Sequence, residues 1–190
     1  LRLDDFALSA PNQEALAGLF RELEFTTLLN ELVKRPGAEK KVYRAICDEA
    51  ELKALAAEIR KAGFVALDTE TTSPQPTRAR LVGMSFAVRP GEAVYVPIGH
   101  DYLGAPGQIP VKDALKILKP VLADLKIRKI GQNIKYDFIV LRRAGLEIAG
   151  IDLDTMVLSY ILEPNWGKHS MDRLALAYLQ TQTIPYEEVT

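Results

Sequence analysis

Cysteine is nearly absent: Cys47 stands alone in 190 residues. A single thiol closes no internal disulfide, and no Cys or His lies near it at the spacing of a zinc site. A reducing, cytoplasmic setting is the expectation that follows. Long apolar runs are absent too. None approaches the roughly 18 residues that a membrane helix needs, and the N-terminus lacks the charged-then-apolar layout of a signal peptide, so no membrane partner is expected. There is no excess charge of either sign: 24 basic residues face 25 acidic ones, for a net charge of −1. A protein that coats duplexes through their phosphates would be basic, so the composition does not point to that mode, and it does not exclude nucleic acid. A local site built from carboxylates and metal ions is compatible with the balance.

What is present describes a folded domain. Hydrophobic residues make up 48% of the chain and charged residues 26%, enough for a sizeable core. The length suits one ordinary domain and a small appendage. Apolar residues at helical spacing predict one helix over 13–32. The polar run Lys34-Arg35-Pro36-Gly37-Ala38-Glu39-Lys40-Lys41 then predicts a linker over 34–41, with a domain boundary there. Beyond it, strands are expected at 42–46, 64–68, 81–88, 93–98 and 129–131. The run at 64–68 (Phe-Val-Ala-Leu-Asp) reads as a central strand buried on both faces. Helices are expected at 48–61 with Asp48 as N-cap, 112–126 bent by Pro120, 133–144 stopped by Gly145, 152–162 and 170–179. The segment 101–110, rich in Gly and Pro, reads as a loop. Together these predict an α/β fold with a mixed sheet flanked by helices. The chain starts at Leu1 and stops at Thr190 without a terminal signature, which predicts a piece of a longer protein.

Two segments carry candidate chemistry. In Asp68-Thr69-Glu70, strand alternation turns both carboxylates to one face. Two acids at the end of a buried strand are costly unless a cation lies between them, and Mg²⁺ or Mn²⁺ prefer oxygen ligands. The plainer alternative is a turn-capping Asp68 and a solvated Glu70. In Gln132-Asn133-Ile134-Lys135-Tyr136-Asp137, Asn133 and Asp137 stand four apart, as on one helix face. Alternatively Asn133 caps the helix and Asp137 is an ordinary first-turn acid.

Taken together, Asp-x-Glu on a first central strand and Asn-x-x-x-Asp on a later helix resemble the first two motifs of the DEDD exonuclease superfamily. Further segments sharpen the likeness: Leu81-Val-Gly-Met-Ser-Phe-Ala, Tyr95-Val-Pro-Ile-Gly-His-Asp-Tyr-Leu, Asp154-Thr-Met-Val-Leu-Ser-Tyr-Ile-Leu and His169-Ser-Met-Asp-Arg-Leu-Ala. From about Val42 to Thr190 the chain resembles the 3′→5′ proofreading exonuclease domain of bacterial family A DNA polymerases. Residues 1–33 resemble the helical tail of the preceding 5′-nuclease region. The resemblance implies an RNase H-like fold and two divalent metal ions, Mg²⁺ or Mn²⁺, at Asp68, Glu70 and Asp137. It implies hydrolysis of a single-stranded DNA 3′ end, with polymerase and 5′-nuclease domains of the same parent chain as partners, in a bacterial cytoplasm. Gln132, Asn133 and Tyr136 are candidate nucleotide contacts, and Tyr186 a candidate base-stacking residue.

The family's third motif, a tyrosine followed four residues later by aspartate, does not occur after Asp137. Tyr178 and Tyr186 both lack that aspartate. By the resemblance the motif lies beyond Thr190, so the domain is expected to be incomplete at its C-terminus and this chain alone inactive or severely impaired. Pro74 stands where the family has a base-wedging leucine. Arg78, Arg80, Lys168 and His169 are weaker candidates for phosphate contact. His100 has no partner at recognisable spacing, Asp154 reads as a helix cap, and Trp166 as a packing residue. Two rival functions remain at this point: a ribonuclease D-like exoribonuclease, and a non-catalytic module that only holds strands or positions domains.

Overall fold

The computed structural model describes residues 10–32, 42–105, 107–179 and 181–183. The expected linker at 34–41 lies outside the described residues, apart from what the sequence says of it. The chain divides into two compact units, one spanning Lys40–Trp166 and one drawn from Leu1–Glu39 and Gly167–Thr190.

The larger unit is built on a six-stranded sheet. Its elements are β1 (Val42–Ala45), α3 (Glu49–Ala62), β2 (Phe64–Thr71), β3 (Leu81–Arg89), β4 (Glu92–Pro97), α4 (Val111–Leu122), β5 (Arg128–Gly131), α5 (Ile134–Arg143), β6 (Ile151–Asp154) and α6 (Thr155–Leu162). Strand order is β1-β4-β3-β2-β5-β6. β2, β3 and β4 form an antiparallel meander, closed between β3 and β4 by a turn with Gly91 at φ 77°. β5 and β6 add in parallel beside β2, and β1 pairs in parallel with β4. The sheet is therefore mixed, as expected, with β2 at its centre.

α3 follows its sequence pattern closely. Asp48 caps it, accepting from the N–H groups of Ala50 (2.9 Å) and Glu51 (3.0 Å). Leu52, Leu55, Ala56 and Ile59 are its buried face. Gly63, at φ 72°, ends it in the left-handed conformation that glycine adopts without a steric penalty. This face packs with Ala114, Leu115, Leu118, Val121 and Leu122 of α4 and with Val65, Leu67, Met84 and Phe86 of the sheet. A fully buried Leu or Ile contributes roughly 1.5–3 kcal/mol relative to exposure, so this layer anchors the central strand.

Three expectations need correction. The helix at 13–32 is two, α1 (Gln13–Glu22) and α2 (Thr26–Leu32), which belong to the smaller unit with α7 (Met171–Leu179). The break is a Schellman turn. Glu24 takes φ 57°, its N–H bonds Arg21 C=O (3.2 Å), the N–H of Phe25 bonds Phe20 C=O (2.8 Å), and the two Phe rings meet. Helical spacing on both sides of a break masks it when no glycine marks the spot. Second, α4 stops at Leu122, two residues after Pro120, which lies inside the helix. Third, residues 151–154 form strand β6, not the start of a helix. Ile151-Asp-Leu-Asp alternates over too few residues to announce an edge strand.

Lys129 of β5 has no solvent exposure. Its ammonium donates to the carbonyls of Asp124 (2.7 Å) and Ile127 (2.8 Å) in the turn entering the strand. Burial pushes the amine down to about 8, partly opposed by Asp124. Because the folded state disfavours the protonated amine, the strain from this charge is present below pH 8 and disappears as pH rises towards the unfolded value of 10.5. Lys129→Ala, which leaves two carbonyls unpaired and a void, is expected to lower stability by about 2–4 kcal/mol in urea denaturation at neutral pH. Wild-type stability measured relative to Lys129→Met should rise between pH 8 and 10; a flat difference would contradict the buried-charge account.

Candidate active site

The acids stand where the central strand leaves the sheet. In β2, Val65, Leu67 and Thr69 are buried, whereas Asp68 and Glu70 alternate to the accessible face. A bulge between Glu70 and Thr71 ends the regular pairing with β3. The loop that follows is tied down at both ends. Thr72 N–H bonds Arg80 C=O (3.1 Å), and Arg80 N–H returns to Thr72 Oγ1 (3.0 Å). The Tyr136 hydroxyl donates to Ser73 C=O (2.5 Å) and also meets Thr71 Oγ1.

Asp137 comes from the first turn of α5 and is almost fully buried. One of its oxygens accepts from both the backbone N–H (2.9 Å) and the hydroxyl (2.6 Å) of Thr69. Thr69 lies between Asp68 and Glu70 in the chain, so this pair of bonds fastens the helix to the acidic strand. The sequence offered no sign of this role for Thr69, since a central threonine of a strand has many uses.

How α5 begins differs from expectation. Asn133 occupies the N-cap position in the left-handed conformation, φ 61°, but its side chain makes no capping bond. Asp154 caps instead. It accepts from Asn133 N–H (2.9 Å) and Ile134 N–H (3.0 Å), and at the same time from Met156 N–H (2.9 Å) and Val157 N–H (3.3 Å) of its own helix. The cap expected of Asp154 is present and serves two helices. Asn133 Oδ1 is buried with no hydrogen-bond partner, and Asn133 does not share a helical face with Asp137, because it lies outside the helix. Gln132 is half-buried and accepts from the Thr155 hydroxyl.

Electrostatics sets the acids apart. Asp68 is pushed up to about 6, by burial of its surroundings first and then by the negative charges of Asp137 and Glu70. It is accessible to water by area, so the packed neighbourhood, not enclosure, supplies the first cause. Asp137 is also raised, by burial above all, against the opposing bonds from Thr69. None of the three acids forms an ion pair with a Lys or Arg among the described residues. Among those residues no group of three or more His, Cys, Asp or Glu side chains stands close enough together to hold a metal ion as placed. The donor set, hard oxygens carrying uncompensated charge, nonetheless suits a divalent cation.

The remaining candidates scatter. Arg78, Arg80, Pro74 and Lys168 are exposed, whereas His169 is buried and so withdrawn from a phosphate role. Trp166 is half-buried. Tyr186 lies outside the described residues.

The architecture is that of the RNase H-like exonucleases. Ribonuclease D of Escherichia coli shares it with a TM-score of 0.58 at 20% identity, over 78% of this chain and 36% of that one. A structure described as the POL domain of Pol1 from M. smegmatis, in complex with DNA primer-template and dNTP, does so with a TM-score of 0.60 at 21% identity, over 74% of this chain and 23% of that one. The model of the 3′–5′ exonuclease of family A DNA polymerases matches residues 43–190, and the chain belongs to that family. DNA polymerase I of Pseudomonas aeruginosa is 39% identical over 203 residues, covering all of this chain and 22% of its own. The chain thus spans about a fifth of the length of the curated relatives it matches. No helix among the described residues is long and apolar enough to cross a membrane.

A raised acid predicts a pH signature. For Asp68 the folded value lies above the ordinary carboxylate value of 3.8, so its protonated form is favoured by folding. That contribution is complete below about pH 4 and lost as pH rises through 6. In metal-free buffer, Asp68→Asn should match the wild type near pH 4 and exceed it by about 1 kcal/mol at pH 7.5, after discounting for solvent screening. Urea titrations at the two pH values check this, and added Mn²⁺ should reverse the order at pH 7.5.

Proposed function

We propose that this chain is the 3′→5′ exonuclease portion of a DNA polymerase I, which removes 3′-terminal nucleotides from single-stranded DNA during replication and repair. The observation that carries the reading is the match to the exonuclease family across residues 43–190, the stretch that holds Asp68, Glu70 and Asp137. In this reading residues 1–33 are the tail of a preceding 5′-nuclease region, 34–41 a linker and 42–190 the exonuclease domain. The polymerase and 5′-nuclease domains of the parent are its same-chain partners, in the bacterial cytoplasm.

Asp68, Glu70 and Asp137 are the residues that would hold two divalent ions, Mg²⁺ or Mn²⁺, whose Lewis acidity serves phosphodiester hydrolysis by polarising the scissile phosphate and acidifying the attacking water. The chain's own contributions are positional. Thr69 holds Asp137 against β2 through two hydrogen bonds. Asp154 frees the Asn133 amide from capping, so Asn133 and Gln132 can bind the terminal nucleotide. Tyr136 braces the loop after Glu70; this reading makes it a further contact of that nucleotide, with Tyr186 as a stacking residue. The three like charges repel a phosphodiester unless cations intervene, which makes activity strictly dependent on added metal.

The test is digestion of 3′-labelled single-stranded DNA with Mg²⁺ or Mn²⁺. This chain should be severely impaired, for want of the Tyr-x-x-x-Asp motif. A version carrying about forty further residues of its parent should be active, and Asp68→Ala should cost it at least about a hundredfold. Faster digestion of RNA than DNA would favour a ribonuclease D-like enzyme. Inactivity of the longer protein would favour a non-catalytic module.

A further inference from the structure

The accessible face of the sheet carries an aromatic group that the reading above leaves unused. Asp68, Ser85 and Tyr95 are partners across β2, β3 and β4, so they form one lateral row on one face. Glu70, Gly83 and Pro97 form the next row. The Tyr95 ring leans over Gly83, where any β-carbon would overlap its phenol. Only glycine permits this approach, and it brings the phenol beside Glu70. The carboxylate's charge, after burial, helps push the Tyr95 hydroxyl up to about 12.

From Tyr95 the contacts run outward. Its hydroxyl is hydrogen-bonded to His100 Nε2 at 2.6 Å, with the rings edge-on at 5.8 Å. His100 in turn meets the Tyr102 ring edge-on at 5.7 Å. The main chain of His100 is fixed by Gln108, which accepts from its N–H (2.8 Å) and donates to its C=O (2.9 Å). The series ends on Tyr102, which is 60% exposed, beside a fully exposed Leu103. An aromatic that served packing alone would gain by burial. Tyr102 is instead braced from behind and left facing solvent.

We propose that Tyr102 stacks on an unpaired nucleobase of the strand whose 3′ end lies at Asp68 and Glu70, with Tyr95 and His100 as the positioning residues that hold its ring. The neighbouring acids favour a base over a phosphate: a neutral π-face approaches Glu70 and Asp101 without repulsion, and an anion does not. Bases offer a free face only when unpaired, which makes the subsite selective for single strands. The inference rests on the exonuclease reading above.

Fluorescence anisotropy of a 5′-labelled oligothymidylate with a phosphorothioate at its 3′-terminal linkage, in Mg²⁺ so that the acids do not repel the strand, tests it on this chain. Tyr102→Ala should weaken binding by about five- to twentyfold, with Tyr102→Trp restoring wild-type affinity. Tyr95→Phe, which keeps the ring and loses the bond to His100, should weaken it by a smaller factor of about three. An abasic oligonucleotide should bind wild type and Tyr102→Ala alike, a result that general misfolding would not give. Wild-type binding with Tyr102→Ala within about twofold would overturn this inference and leave the exonuclease reading standing. No binding by the wild type would overturn both.

Discussion

One carboxylate fixes the geometry on which the candidate site depends. Asp154 accepts hydrogen bonds from four backbone N–H groups, two at the start of α5 and two at the start of α6. The first-turn N–H groups of a helix have no partner within it, and two such ends brought together would leave a concentrated set of orphan donors. A single acid satisfies both sets and adds favourable interaction with both helix dipoles. The parallel pairing of Gly131 with Asp154 sets the distance. The consequence for the site is positional: once Ile134 is fixed as the first residue of α5, Asp137 falls one turn later, where Thr69 receives it.

The acids themselves work against folding. Burial raises both Asp68 and Asp137; the charges of Asp137 and Glu70 add to the first and that of Asp154 to the second, and no described Lys or Arg neutralises them. A protein selected only for stability would replace such a group with apolar side chains. Its position at the end of the central strand places the strain where the scaffold tolerates it. β2 is held by neighbours on both edges and by the layer of α3 and α4 behind it. Strain of this kind is stored where surrounding structure over-determines the backbone, and it favours a ligand of opposite charge.

Much of this was legible in the residues. The place of the central strand, the capped helix α3 and its four buried positions, and the meander of β2 to β4 followed from apolar spacing and turn chemistry, because each obeys a local rule; the expected burial of the central strand on both faces did not, since only the face of Val65, Leu67 and Thr69 is buried. The acids of β2 were legible for the same reason: alternation alone sets Asp68 and Glu70 on one face. What the sequence hid depends on contacts distant in the chain. Asn133 looked like a cap because its type and place suit one. The true cap, Asp154, sits 21 residues on and arrives through strand β6, itself too short to read. The break between α1 and α2 was hidden by Glu24, a residue whose type gives no warning of a left-handed backbone. Thr69 and Lys129 were missed because a buried polar residue is recognised by its partners, which only the fold reveals.

The exchange of cap has a chemical consequence that links fold to site. A helix capped by its own asparagine would consume that side chain's oxygen. Here the distant acid satisfies Asn133 N–H and Ile134 N–H, and asparagine accepts the left-handed backbone with less strain than most residues. Its amide is thereby released at the entrance to α5, one turn before Asp137, with Oδ1 still lacking a hydrogen-bond partner. A buried carbonyl oxygen in that condition costs about 1–3 kcal/mol. The same acid that builds the helix start therefore leaves the Asn133 side chain without a capping role. The place of Asn133 one turn before Asp137 is thus set by a distant acid and not by the helical face that its spacing suggested.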